Sequence, residues 1–255
     1  MKIKFYKYQG TGNDFIIVDN RDMTFNKNNI ELVQGLCSRK FGIGSDGLIL
    51  IEHHPEWDFN MVFFNPDGSQ SFCGNGSRCA VAFAREQGIV YDFAKFNSTD
   101  GYHEAIVESN GLVKLKMHNV CNIEVGESHH YMDTGSPHYN CFEKNIDAID
   151  VVAKGREIRN NKRFKEIGTN VNFIEHLSNR IKVRTYERGV ENETLSCGTG
   201  VTACALSAAL VAKDSSGEIK VSTLGGDLSV SFRKTLDGFE DIWLTGPTKF
   251  VFNGE

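Results

Sequence analysis

No stretch of this 255-residue chain is long and apolar enough to span a bilayer as a helix: the longest mostly apolar run, residues 203–212, is about half of the roughly 20 residues needed. The start has no continuous apolar core of the kind a secretory signal carries, because residues 1–10 alternate lysines with apolar side chains and read as a strand. Blocks of like charge are missing too. With a net charge of -5 spread along the chain, neither nucleic acid nor an anionic membrane surface is favoured as a partner, and a small polar ligand fits better. No CxxC pair occurs among the seven cysteines (37, 73, 79, 121, 141, 197, 204). Zinc-ligand spacing is also absent, since His53-His54 and His129-His130 are adjacent pairs that read as surface residues. An odd number of thiols without a signal points to the reducing cytoplasm, where the sequons at Asn75, Asn97 and Asn192 are chance matches.

What is present is an ordinary soluble composition, 40% hydrophobic and 24% charged, which suits one large domain or two smaller ones. An internal repeat favours two. Thr11-Gly12-Asn13-Asp14 is echoed by Thr134-Gly135-Ser136-Pro137, 123 residues on. Ile43-Gly44-Ser45-Asp46 is echoed by Ile167-Gly168-Thr169-Asn170, and Cys73-Gly74-Asn75-Gly76 by Cys197-Gly198-Thr199-Gly200, both at 124. Gly-rich tetrapeptides recur by chance, but three in the same order argue for duplication.

Strand-like runs fall at residues 2–8, 15–19, 48–52 and 58–65 in the first half, and at 171–175, 180–187, 218–223, 227–232 and 241–245 in the second. Helical patterns cover about 29–38, 76–87, 146–156 and 198–212, with Gly88 and Lys213-Asp214 as stops for the second and fourth. The expected fold is α+β: two pseudo-symmetric lobes, each with strands wrapped around a central helix that is apolar on most of its circumference.

Each CGxG start combines three things that chemistry uses. Glycines allow close backbone approach, the helix offers unpaired N–H groups to an anion, and its dipole lowers the pKa of a thiol placed there. Two helix starts could therefore hold one carboxylate with a thiol on either side of the adjacent carbon. A thiolate that removes a proton from one face and a thiol that returns one on the other is the chemistry of epimerisation. A lone cysteine here would read as a buried helix-start residue; the duplication inside a Gly-rich frame favours reactivity. Cys37, Cys79, Cys121, Cys141 and Cys204 read as structural. Gly42-Ile43-Gly44-Ser45-Asp46-Gly47 matches the dinucleotide pattern GxGxxG, but it leads into the apolar run Leu48-Ile49-Leu50-Ile51, a strand where that fingerprint needs a helix.

With Gly12-Asn13-Asp14-Phe15, Phe64-Asn65-Pro66-Asp67-Gly68-Ser69, Cys73-Gly74-Asn75-Gly76, Gly135-Ser136-Pro137-His138, Tyr186-Glu187-Arg188-Gly189, Cys197-Gly198-Thr199-Gly200 and Thr245-Gly246-Pro247 in one order, the chain resembles the diaminopimelate epimerases from end to end. The resemblance implies interconversion of LL- and meso-diaminopimelate, for lysine and peptidoglycan precursors, with no cofactor and no metal, by a cytoplasmic homodimer. It implies lobes of residues 1–117 plus about 248–255, and 118–247. It implies that Cys73 and Cys197 are the acid/base pair, with His138 and Glu187 beside them. Gly74, Asn75, Gly198 and Thr199 would hold the reacting carboxylate, while Asn13, Asn65, Asn170, Glu187 and Arg188 contact the rest of the substrate. Taken alone, Asn13 and Asn65 suit turn chemistry equally well, Glu187-Arg188 suits an exposed strand end, and His138 suits a turn. Ser136 and Gly47 depart from residues common in the family, Asn and Gln.

Three other readings remain at this stage. A proline or hydroxyproline racemase shares the cysteine pair but has no far amino-acid end to bind, and a phenazine-type isomerase lacks the twin cysteines. A non-catalytic amino-acid-binding protein needs no thiols.

Overall fold

The computed structural model describes residues 2–255, and by compactness the chain divides in two. The first unit runs to Leu115 and takes back Gly246–Glu255; the second is Lys116–Thr245.

In the first unit Phe5–Gly10 and Asn13–Asp19 form a hairpin, and Asn13–Asp19 then lies parallel to Gly47–Glu52. Gly47–Glu52 is antiparallel to Phe59–Phe64, which starts parallel to Phe93–Ser98, itself antiparallel to Gly101–Val107. The second unit repeats this alternation. His129–Asp133 is antiparallel to Pro137–Phe142, which is parallel to Asn170–His176. Asn170–His176 is antiparallel to Ile181–Glu187, Ile181–Glu187 parallel to Ser216–Thr223, and Ser216–Thr223 antiparallel to Gly226–Lys234. The expected α+β duplication is thus present strand by strand.

Parallel neighbours need a crossover, and each of the four parallel steps has its helix. These are α1 (Ile30–Cys37), α2 (Gly74–Glu86), α3 (Val151–Arg159) and α4 (Gly198–Ala212). The pattern expected at 146–156 is split: Ile146–Ala148 is a short 3-10 turn, and Asp150 restarts the chain as the cap of α3, its side chain accepting the Ala153 N–H at 2.9 Å. Gly88 (φ 68°) follows the end of α2 and Lys213 (φ 62°) that of α4, both left-handed, as the stop signals predicted.

Strands with both faces covered read as continuous apolar runs, which explains Leu48-Ile49-Leu50-Ile51. Ile16, Val18, Leu48, Leu50, Val62 and Phe64 share a cluster with Val33 and Cys37 of α1. The alternate residues face α2: a Cβ added at Gly76 would touch Phe15 and Ile49, and Ser77 Oγ lies 3.6 Å from Met61 Sδ.

Among the strands that escaped the sequence reading are Phe93–Ser98, Gly101–Val107 and His129–Asp133, whose half-exposed faces carry polar side chains, and Pro137–Phe142, whose buried face carries His138 and Asn140. The same alternation corrects the reading of His130 as a surface residue. It is buried and packs edge-on against Phe142, while His129 stacks on Tyr139.

Candidate active site

Register shows which residues of the two units are equivalent. Phe15 lies opposite Gly47 as His138 lies opposite Asn170, and Ile49 opposite Phe63 as Asn172 opposite Thr185. Two residues along each strand, Asn13 then matches Ser136 and Asn65 matches Glu187. The helices add Cys73 with Cys197, Gly74 with Gly198 and Asn75 with Thr199. Ser136 and Gly47, which depart from the family pattern, are therefore the partners of Asn13 and Asn170. At Gly47 a Cβ would come within 2.3 Å of the Phe63 ring, so a larger residue cannot enter while Phe63 keeps its place.

In the first unit Cys73 is the cap of α2, its Sγ accepting the Gly76 N–H at 3.4 Å. Asn13 Oδ1 lies 3.8 Å from that sulfur and accepts Asn75 Nδ2 at 3.2 Å, while Asn13 Nδ2 donates to Asp46 Oδ2 at 2.8 Å. A carboxylate can only accept, so the amide orientation of Asn13 is determined: its carbonyl faces the thiol. Arg39 bridges Asp14 and Asp46, at 2.7 and 2.6 Å, and Lys7 pairs with Asp14 at 2.5 Å. Asn65 uses its amide nitrogen on Ser69 Oγ at 3.0 Å and Ser71 Oγ at 3.1 Å, closing its own turn.

In the second unit Cys197 caps α4 by position, with Thr199 Oγ1 3.5 Å from its sulfur. Thr199 Oγ1 lies 2.9 Å from His138 Nε2, and Asn172 Nδ2 lies 3.0 Å from His138 Nδ1. Behind them Asn172 donates to Asn140 Oδ1 at 2.7 Å and accepts from Thr185 Oγ1 at 2.8 Å, and Asn140 donates to Ser207 Oγ at 3.0 Å and to the Ala203 carbonyl at 3.5 Å. The backbone carbonyl sets the direction of the whole series. Asn140 must present Nδ2 to it, so Asn172 presents Nδ2 to His138, whose proton therefore sits on Nε2 and points to Thr199. The Thr199 hydroxyl is left to donate toward Cys197.

His138 is fully buried on a strand, not in a turn; burial, with the Arg188 charge adding to it, pushes its pKa down to about 3. The close packing depends on glycine, since a Cβ at Gly200 would lie 2.9 Å from Asn172 Oδ1 and 3.3 Å from His138 Cε1. Nothing in the tetrapeptide reading pointed to Asn140, Asn172 and Thr185. Their signal was polar residues at every second position, His138 with Asn140 and Asn170 with Asn172, where the first unit has Phe15, Ile17, Gly47 and Ile49.

Ser136 ties a further group together. Its Oγ accepts Asn170 Nδ2 at 2.9 Å and Arg188 Nη2 at 3.2 Å, and the Arg188 N–H donates to Asn170 Oδ1 at 2.9 Å. Arg188 is half-buried and, among the described residues, pairs with no carboxylate of the protein. Glu187 accepts from Thr194 Oγ1 at 2.8 Å. Of the other five cysteines, Cys37, Cys79 and Cys204 are buried, and burial raises the pKa of each; Cys141 is pushed up to about 12, and Cys121 is exposed.

Both thiols sit, half-buried, at equivalent glycine-bounded helix starts. A family model described as diaminopimelate epimerase covers residues 5–122 and 130–251. The chain is 46% identical over 252 residues to the diaminopimelate epimerase of Flavobacterium psychrophilum, covering 98% of each protein. It is 40% identical to that of Aquifex aeolicus, covering 99% of this chain and 97% of that one. The chain belongs to the diaminopimelate epimerase family. This chain shares its fold with more distant proteins, as two solved structures show. A Bacillus anthracis protein of the PhzF phenazine-biosynthesis family superposes with a TM-score of 0.77 at 16% identity, covering 100% of this chain and 99% of that one. A probable proline racemase from Agrobacterium radiobacter superposes at 0.71 and 15%, covering 100% and 92%.

Proposed function

We propose that this chain is an isomerase that interconverts LL- and meso-diaminopimelate by two-base proton transfer, with Cys73 and Cys197 as the base and acid. The observation that carries the reading is the equivalence of the two cysteines at the starts of α2 and α4, each with a hydroxyl or amide partner aimed at its sulfur. The α-C–H bond breaks as a thiolate takes the proton and becomes a thiol. The opposite thiol gives its proton to the carbanion and becomes a thiolate, so one turnover inverts both the carbon and the roles of the cysteines. Main-chain N–H groups at Gly74, Asn75, Gly198 and Thr199 suit the carboxylate into which the carbanion charge spreads.

His138, fixed as the Nε2–H form by Asn172, orients the Thr199 hydroxyl toward Cys197 and favours its thiolate. We assign Glu187 to the same chemistry as an acid/base helper. For the far end of the substrate, Arg188 is the carboxylate partner and Asn13, Asn65, Asn170 and Glu187 offer oxygens to an ammonium. This chemistry uses no cofactor and no metal. We place the enzyme in the cytoplasm, off the membrane, as a homodimer. The terminal strand Lys249–Gly254 pairs with Phe5–Gly10 and leaves Phe250, Val251 and Phe252 exposed, an apolar edge suited to a second copy.

Incubation with LL-diaminopimelate and, separately, with proline tests the assignment. Stereochemical scrambling of the first alone is expected; scrambling of proline alone would overturn it.

A further inference from the structure

Arg78 lies one turn into α2, fully buried, where the second unit has Thr202. Thr202 is satisfied by its own helix, its hydroxyl donating to the Gly198 carbonyl at 3.0 Å. Arg78 is not satisfied in this way. Its Nη2 donates to Asn75 Oδ1 at 3.0 Å and lies 3.5 Å from Thr11 Oγ1, but Nε and Nη1 have no protein acceptor. Among the described residues no carboxylate pairs with it, and burial lowers its pKa while the Cys73 and Cys79 positions are the negative charges that would support it. Cys79 is held neutral by burial. A buried guanidinium without an anion is costly, and arginine does not relieve the cost by losing its proton under ordinary conditions. The nearby group that becomes an anion during the proposed reaction is the Cys73 thiolate.

We propose that Arg78 is a positioning residue for Cys73, stabilising its thiolate through a buried charge while holding the Asn13 carbonyl, by way of Asn75, against its thiol. This rests on the reading of Cys73 as an acid/base group. The two influences oppose each other, which keeps both protonation states within reach, as a group that alternates between acid and base requires. The two carboxylates behind Asn13 are matched by cations, Asp14 by Lys7 and Arg39 and Asp46 by Arg39. The second unit reaches the same end differently, through the hydroxyl of Thr199.

The test is the pH dependence of iodoacetamide alkylation at each cysteine, mapped by mass spectrometry in the wild-type chain, Arg78→Gln and Arg78→Lys, with circular dichroism to confirm folding. In R78Q the Cys73 midpoint is expected to rise by about one pH unit or more, a roughly tenfold fall in its rate near neutrality. Cys197 in the same sample should keep its profile. R78K, which retains the charge, should leave the Cys73 midpoint close to wild type, and this arm decides the matter if R78Q does not fold. An unmoved Cys73 profile in folded R78Q, a shift in R78K as large as in R78Q, or equal changes at both cysteines would overturn the proposal. Because the readout is alkylation and not turnover, it stands apart from the racemisation assay that tests the function itself.

Discussion

Asn172 Nδ2 lies 3.0 Å from His138 Nδ1, and this one donor decides which imidazole nitrogen carries the proton. With Asn172→Asp the contact becomes an acceptor, the proton moves to Nδ1, and Thr199 is no longer driven to donate toward Cys197. A hydrogen bond to a charged group is worth about 1.5–3 kcal/mol, so kcat should fall roughly ten- to hundredfold with little change in KM. Nitrogen NMR of the histidine ring would report the tautomer directly. An unchanged kcat with the proton demonstrably moved would remove His138 from the chemistry.

The buried, neutral state of His138 also gives the fold a pH dependence. Its pKa is lowered from 6.5 to about 3, so between those values the unfolded chain binds a proton that the folded one does not. The stabilisation is complete above 6.5 and is lost as pH falls toward the folded value, at a slope approaching about 1.4 kcal/mol per pH unit for this group. Urea unfolding at pH 7 and pH 5 should show the loss, and His138→Gln should reduce the difference. Equal slopes in the two proteins would mean that His138 is accessible to protons in the folded state.

Arg188 meets Ser136 and the Ile167 carbonyl and has the planar fork that a carboxylate matches. Arg188→Lys, although it keeps the charge, should lower kcat/KM for diaminopimelate by roughly tenfold or more, since a bidentate pair becomes a single contact. Wild-type efficiency in this variant would place Arg188 outside the substrate site.

Two separate bases leave an isotopic record. In deuterium oxide, early turnover of LL-diaminopimelate should yield meso product labelled at the inverted carbon, while the remaining LL substrate stays largely unlabelled. A single base working on both faces would return much of the original hydrogen. Predominantly unlabelled product at low conversion, by mass spectrometry, would exclude the two-cysteine mechanism.

For the proposed dimer, Phe252→Glu places a charge on the apolar edge that Phe252 shares with Phe5, their rings 6.0 Å apart. Light scattering should show the variant as a monomer where the parent is a dimer. A dimer of unchanged strength would move the interface elsewhere.

From the sequence alone came the duplication, the helix starts at Cys73 and Cys197, and the stops at Gly88 and Lys213. Caps, glycines and apolar runs are local signals, set by backbone geometry within a few residues. The mixed strands, such as Phe93–Ser98 and Pro137–Phe142, were not legible in the same way, because their pattern depends on which face the rest of the fold covers. Tertiary structure alone decided the pairing of Asn65 with Glu187, and it moved the match of Asn170 from Asp46, where the tetrapeptide echo puts it, to Gly47. Those residues differ in chemistry, and only strand register makes them equivalent. It also decided that Arg78 is a buried cation and that His138 is a neutral donor, since a side chain's charge and tautomer follow from what surrounds it, and those neighbours come from strands and helices far apart along the chain.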